Sequence, residues 1–428
     1  MSRRPSGRRR RLAVLAVTIL AATVLVGCGS GSTRSGGEPQ TITFSIEIAN
    51  TIQNAYQDLA NQYTKSHPGV TIKVNSISLS SYNTTLTTQL QAGNGPDVFY
   101  VNPGSGEAGS VSQLAKAGQL LELTDPATVD AVPADVNDLF AVGGKTYAVP
   151  VDLDAAGIIY NDQAARAAGI ALGPSSSFSD LLAQCTAAKA KGKALFGLAG
   201  AEPANAAFFA MELAGSTVYG PTPGWNAQRA AGKVSFANTQ GWQAALDAIV
   251  QLNKAGCFQP GAAGASFDAL TNGMTRGKIF GFFAPGGGAK DIMTAARGAV
   301  KLTVVPFPSP SGRTYLTAAT SDGIAGNART KSPKLVADFI KWFVAQPQAV
   351  RFANIKGDLP IGTVKATALL PQYSEISHAI VHKQYAQLGY LGWSNGQVYN
   401  TLGSGVTGLM TGQMTVDQVL RAMDRAWS

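Results

Sequence analysis

Two periodicities alternate along the chain. Residues 41–46 form a short β-branched run. Residues 54–67 then place Tyr56, Leu59, Ala60 and Tyr63 on one helical face, and His67-Pro68-Gly69 stops that helix. Val70, Ile72 and Val74 alternate as a strand should. Tyr82, Leu86 and Leu90 mark a second helix, ended by Gly93-Asn94-Gly95-Pro96. An apolar strand follows over residues 97–101, and Val111, Leu114 and Ala115 mark a third helix. Residues 139–151 read as a hairpin turning at Gly143-Gly144, with another strand at residues 158–160. Three later stripes are helical: Trp242, Ala245, Leu246, Ile249 and Leu252; Leu335, Val336, Phe339, Ile340 and Phe343; and Val416, Leu420, Met423 and Trp427. No repeat occurs at a solenoid period. Interleaved strands and helices predict an α/β fold.

The N-terminus breaks this pattern. Arg3, Arg4 and Arg8 to Arg11 precede an uncharged apolar stretch over residues 12–26. That stretch falls short of the roughly 20 residues a spanning helix needs. A basic start, a short apolar segment and a small-residue exit describe a secretory signal. The exit, Leu25-Val26-Gly27-Cys28, resembles the lipobox of bacterial lipoproteins, which implies acylation of Cys28 and removal of residues 1–27. Residues 29–39 are rich in Gly, Ser and Thr, as a flexible tether would be. Several acyl chains hold a protein on a membrane where one chain is marginal.

Composition changes the picture once the signal is set aside. Six of the 34 basic residues leave with it, and the formal charge falls from +9 to about +3. The remaining chain has no clustered basic stripe, so nucleic acid is not an expected partner. About 400 residues suffice for two or more domains. Two cysteines remain, Cys185 and Cys257, and an isolated pair in an oxidising compartment favours a disulfide over two buried thiols.

A series of short motifs then occurs in order. Gly93-Asn94-Gly95-Pro96-Asp97-Val98 resembles the turn-and-strand of family 1 extracellular solute-binding proteins, the maltose-binding-protein-like group of carbohydrate importers. Tyr147-Ala148-Val149-Pro150 followed by Ile159-Tyr160-Asn161 resembles the family's crossover. Phe178-Ser179-Asp180-Leu181, Gly277-Lys278, Ser321-Asp322-Gly323-Ile324 and Thr411-Gly412-Gln413-Met414 match later elements in the family's sequence. The resemblance implies a two-lobed periplasmic-binding-protein-like fold, with hinge and ligand cleft. Lobe 1 is then expected over residues 41–153 and 304–350, and lobe 2 over residues 154–303 and 351–428. Both cysteines fall in lobe 2, so a disulfide would not block closure. The implied role is capture of a mono- or oligosaccharide for an ABC permease, by a monomer without cofactor or metal.

Candidate ligand residues follow from the resemblance and from the rule that open α/β sheets bind beyond strand C-termini. Asp154, six residues before Tyr160, matches an acidic cleft position of the family, and Asp152 is its neighbour. Glu202 precedes Pro203 as in a family motif, but Ala204 stands where an aromatic is usual. Glu47 and Asn50 end the first strand, Tyr100 and Asn102 end the strand at residues 97–101, and Asp322 follows another. Turn capping is the competing role for each, and Asp97 is read as part of its turn. Phe283, Gly286 and Gly287 occupy a loop where the family often carries a stacking Trp. Trp393 and Tyr399 are the candidates for a late stacking aromatic, against packing between helices. Asp, Glu, Asn and aromatics fit a neutral polyol. A phosphate-bearing solute such as a glycerophosphodiester would recruit Arg or Lys, and a polyamine several carboxylates.

Enzyme patterns fail on context. Gly392-Trp393-Ser394-Asn395-Gly396 has the spacing of a hydrolase elbow, but no His follows Ser394. Gly143-Gly144-Lys145-Thr146 lacks the first Gly of a P-loop. His378 and His382 have helical metal-ligand spacing without the Glu of H-E-x-x-H. A wall-glycan hydrolase would need two carboxylates at glycosidase distances across a cleft.

Overall fold

A computed structural model of the chain describes residues 40–427, except 49–53, 108, 174–175, 313 and 363–368. Cys28, its flanking signal and tether, and Asn50 lie outside the described residues.

Thirteen strands are described: β1 (Gln40–Ile48), β2 (Val70–Ser78), β3 (Val98–Val101), β4 (Ala141–Val142), β5 (Lys145–Thr146), β6 (Ala148–Pro150), β7 (Asp154–Tyr160), β8 (Ala194–Gly197), β9 (Ile279–Pro285), β10 (Thr303–Val305), β11 (Leu316–Ala319), β12 (Gly323–Gly326) and β13 (Tyr385–Ala386). They make two main sheets. The first runs β2-β1-β3-β12-β6, with β1 parallel to β2 and β3, and β12 antiparallel to β3 and β6. The second runs β13-β11-β7-β9-β8, with β10 also paired to β7. The small β4-β5 hairpin turns at Gly143 and Gly144, at φ 61° and 76°. Positive φ at both central residues is what a tight hairpin turn requires, and glycine adopts it without steric cost.

Each sheet has its own core. In lobe 1, the helix Ala55–Ser66 starts where the Asn54 side chain accepts from the Gln57 amide. It lays Tyr56, Leu59 and Tyr63 against Phe339 and Phe343 of the helix Pro333–Phe343 and Phe352 of the helix Gln346–Lys356. In lobe 2, the helix Pro203–Ala214 is almost wholly buried between the second sheet and the helices Gln240–Lys254 and Gly396–Thr411. Phe209 stacks on Phe283 at 4.1 Å between ring centroids, and in a second aromatic group Trp242 and Trp393 pack edge to face, and Trp225 at a tilt, against Phe236. Cys185, on the helix Phe178–Ala190, is bonded to Cys257, with 4.5 Å between their Cα atoms. The bridge lies within lobe 2.

The chain crosses between the sheets three times, at residues 151–153, 320–322 and 357–359. The crossings are bonded to one another. The Val151 amide donates to the Asp322 carbonyl, and Leu153 and Leu359 exchange two backbone bonds at 2.8 and 3.1 Å. These crossings correct the expected lobe limits. β10 and β11 pair with β7, so residues 304–319 belong to lobe 2, and the return to lobe 1 begins only at residue 320. The helix Gln346–Lys356 packs on lobe 1 through Phe352, so lobe 1 extends to residue 356 rather than 350. A short apolar strand reads the same in either sheet. Only its pairing partner decides the lobe.

Candidate functional site

A cleft of about 480 Å³ opens between the lobes beside the three crossings. Lobe 1 contributes Glu47 at the end of β1, Tyr56 at the start of its helix, and Tyr100 from β3. Lobe 2 contributes Phe282 and Ala284 of β9, and Gly287 and Asp291 of the helix Gly287–Ala295. The crossings supply Ser321, Asp322 and Asp358, with Asp154 just beyond the first of them and Lys356 just before the third. At the mouth stand Leu79 and Phe267, the two large apolar side chains most exposed among the described residues, at 41% and 38%.

Lys356 organises the hinge end. Its ammonium lies 2.6 Å from Asp152, 2.5 Å from Asp322, 3.1 Å from Asp358 and 3.9 Å from Asp154. One cation thereby holds carboxylates from all three crossings. Burial alone would lower the lysine, but the four carboxylates raise it well above its ordinary value, so it stays charged. Burial pushes Asp152 well above the usual carboxylate range, with Lys356 pulling it back and Asp322 and Asp358 pushing further. Asp154 is raised in the same way, first by burial and then by Asp358. The Ser321 hydroxyl donates to Asp154 Oδ2, while Asp154 Oδ1 has no hydrogen-bond partner among the described residues. Asp152, Asp154 and Asp358 could group around a cation, but the lysine ammonium already occupies that role.

A second acidic group faces it from lobe 1. Burial raises Glu47 well above the carboxylate range. The charges of Asp322 and Glu107 add to this, and a hydrogen bond from Tyr100 opposes it. The Tyr100 hydroxyl is within bonding distance of Asn102 Oδ1 at 2.9 Å and Asp322 Oδ1 at 3.3 Å. Burial pushes Glu107 up to about 7. Gly287 permits the close approach of lobe 2. A side chain there would place its first carbon 2.6 Å from the Asp358 carboxylate. That carboxylate sits at the N-terminal end of the helix Gly287–Ala295, where negative charge is favoured.

The structure thus brings Glu47, Tyr100, Asp154, Gly287 and Asp322 to the cleft, with Asp152 behind its floor. Asn102 lies outside the lining and holds Tyr100 in place. Asp97 bonds Thr43 and Thr330 in its turn, a structural part. Other expectations are corrected. Glu202 occupies the N-cap position of the helix Pro203–Ala214 without a side-chain capping bond and lies outside the cleft lining. Phe283 points from the opposite face of β9 to Phe282 and is buried among Phe196, Phe209 and Phe307. Gly286 lies against Tyr373 outside the lining. Trp393 is fully buried, its indole N–H donating to the Tyr219 hydroxyl at 2.9 Å. Tyr399 is stacked on Tyr390 and donates to the Ala204 carbonyl. Sequence reasoning missed Tyr56, Phe282, Lys356 and Asp358. Lys356-Gly357-Asp358 at a helix end offered a signal only in retrospect of the crossing it begins.

Three comparisons extend this geometry. The sequence matches the bacterial extracellular solute-binding protein family over residues 49–350. An uncharacterized ABC transporter extracellular-binding protein of Pyrococcus horikoshii is 28% identical over 207 residues. That match covers 45% of this chain and 46% of the relative, so the chain spans about half the length of the relative it matches. The fold is similar to a structure described for xylan utilization by Caldanaerobius polysaccharolyticus, with a TM-score of 0.77 and 20% identity. That likeness covers 90% of this chain and 99% of the other. It is also similar to the solute-binding protein RafE in complex with raffinose, with a TM-score of 0.73, 18% identity and coverage of 91% and 98%. With the match extending over well more than half of its residues, the chain belongs to the bacterial extracellular solute-binding protein family.

Proposed function

We propose that the chain is the solute-capturing component of an ABC importer and that it closes on a mono- or oligosaccharide between its lobes. The observation that carries this reading is the cleft itself. Its floor combines carboxylates and tyrosine hydroxyls with the apolar faces of Tyr56, Tyr100 and Phe282. Carboxylates accept pairs of sugar hydroxyls, and aromatic rings cover the apolar faces of a pyranose. The three bonded crossings beside it give a short hinge about which two separately cored lobes can close. The raffinose complex and the xylan-related structure support a saccharide over other solutes. Cys28 would carry the acyl anchor, leaving the lobes tethered outside the cytoplasmic membrane beside the permease, as a monomer. Among the described residues no helix is long and apolar enough to cross a membrane.

The test is a thermal-shift panel of mono- and oligosaccharides, polyamines and glycerophosphodiesters. A true ligand at 100 times its Kd should raise stability by about 2.7 kcal/mol. A response confined to the non-sugar solutes would contradict the saccharide reading, and turnover of a panel sugar would contradict a pure binding role.

A further inference from the structure

The cleft holds more acid than a neutral sugar requires. Asp154, Asp322 and Asp358 line its hinge end and Glu47 its lobe 1 side, with Asp152 fully buried behind them. Lys356 is the one cation in the lining among the described residues, and its ammonium is already shared by four aspartates. Residues 49–53, which follow Glu47, contain no Lys or Arg. Carboxylates taken out of water need positive charge and donors; Tyr100, Ser321 and Tyr373 supply hydroxyls, and Lys356 is the one ammonium in the lining among the described residues.

A separate observation points the same way. The Tyr56 hydroxyl borders the cleft, its side chain is only 7% exposed, and it has no hydrogen-bond partner among the described residues. A buried hydroxyl left unbonded costs free energy that an incoming polar group recovers. Asp154 Oδ1, also unbonded, can only accept when ionised. The Tyr56 and Tyr100 rings add aromatic faces, which attract a cation where they lose water.

From these observations we infer that the solute is an amino sugar with a free, protonated amine, its ammonium placed among Glu47, Asp154 and Asp322. The inference rests on the saccharide reading of the same cleft. The ammonium supplies charge and three donors to the unbalanced acids, and the sugar ring supplies the faces that the aromatic walls cover. A linear polyamine would leave those walls without a matching surface.

The test is titration calorimetry with glucosamine and its β-linked disaccharide, each paired with its N-acetylated form and its neutral parent sugar, and with spermidine. The free amine should bind at least about tenfold tighter than either paired form. In Glu47→Gln that preference, read as the ratio of free-amine to N-acetylated affinity, should shrink severalfold, with circular dichroism confirming the fold. Asp322→Asn provides a second variant with the same expectation. Equal or tighter binding of the N-acetylated or neutral sugar overturns the amine and leaves the saccharide reading standing. Binding of spermidine alone counts against both, and binding of none of the probes overturns the amine and leaves the saccharide reading to the wider panel.

Discussion

At the scale of the residue, the cleft and the core compete for the same kinds of side chain. Tyr56 lies on the apolar stripe of its helix, where the sequence pattern assigns it to the core, and its ring does pack on Phe343 and Phe352. Its hydroxyl nevertheless borders the cleft without a hydrogen-bond partner among the described residues. Tyr56→Phe should therefore leave the melting temperature unchanged or slightly raised and weaken the ligand by about fivefold, read by calorimetry on both. A drop in stability with unchanged affinity would make the hydroxyl structural. Phe283, Trp393 and Tyr399 went the other way, to the core, because burial is decided by partners distant in sequence such as Phe209, Tyr219 and Ala204. Acidic positions were more legible as strand ends: Glu47 and Asp154 stand at the ends of β1 and β7, and Asp322 lies between β11 and β12. Glu212 gives a prediction independent of ligand. Burial pushes its carboxyl up to about 8, against a weak bond from Thr317 at 3.3 Å. The folded state then keeps a proton that the unfolded chain releases near the ordinary carboxylate pKa. Stability should be highest below that value and fall by about 3–5 kcal/mol as pH rises to about 8. Chemical denaturation across this window should show the slope in the wild type and its loss in Glu212→Gln.

At the scale of the element, periodicity was a good guide. The helices at Ala55–Ser66, Gln240–Lys254, Pro333–Phe343 and Val416–Ala426 follow their stripes, and the hairpin turns at its two glycines. The assignment of β10 and β11 was not legible, since a strand of three or four apolar residues carries no record of which sheet it joins. The disulfide belongs to this scale. It closes a 72-residue span within lobe 2, from the helix Phe178–Ala190 to the segment that follows the helix Gln240–Lys254. By chain entropy it contributes about 4 kcal/mol. Replacing both cysteines by Ala should lower the melting temperature markedly and leave solute affinity within about twofold, because neither residue reaches the cleft. A large loss of affinity would mean that the bridge shapes the site.

At the scale of the whole molecule, two cored lobes meet at three crossings that share one lysine. Lys356→Met would leave Asp152, which is 0% exposed, without its cation. The expected cost is about 3–5 kcal/mol, measured by denaturant unfolding at neutral pH. A neutral effect would mean that the aspartates are protonated and need no partner. The order of motifs made the two-lobed organisation legible from sequence, whereas the lysine hub was not, because its four partners are scattered from Asp152 to Asp358. The central claim is that the solute binds at the hinge end of the interlobe cleft. Its most direct test is calorimetric titration of the sugar giving the largest thermal shift into the wild type and Asp322→Ala, with folding verified for both. The account predicts affinity at least about tenfold weaker in the variant. Equal affinity in the two proteins would place the solute elsewhere and contradict the account.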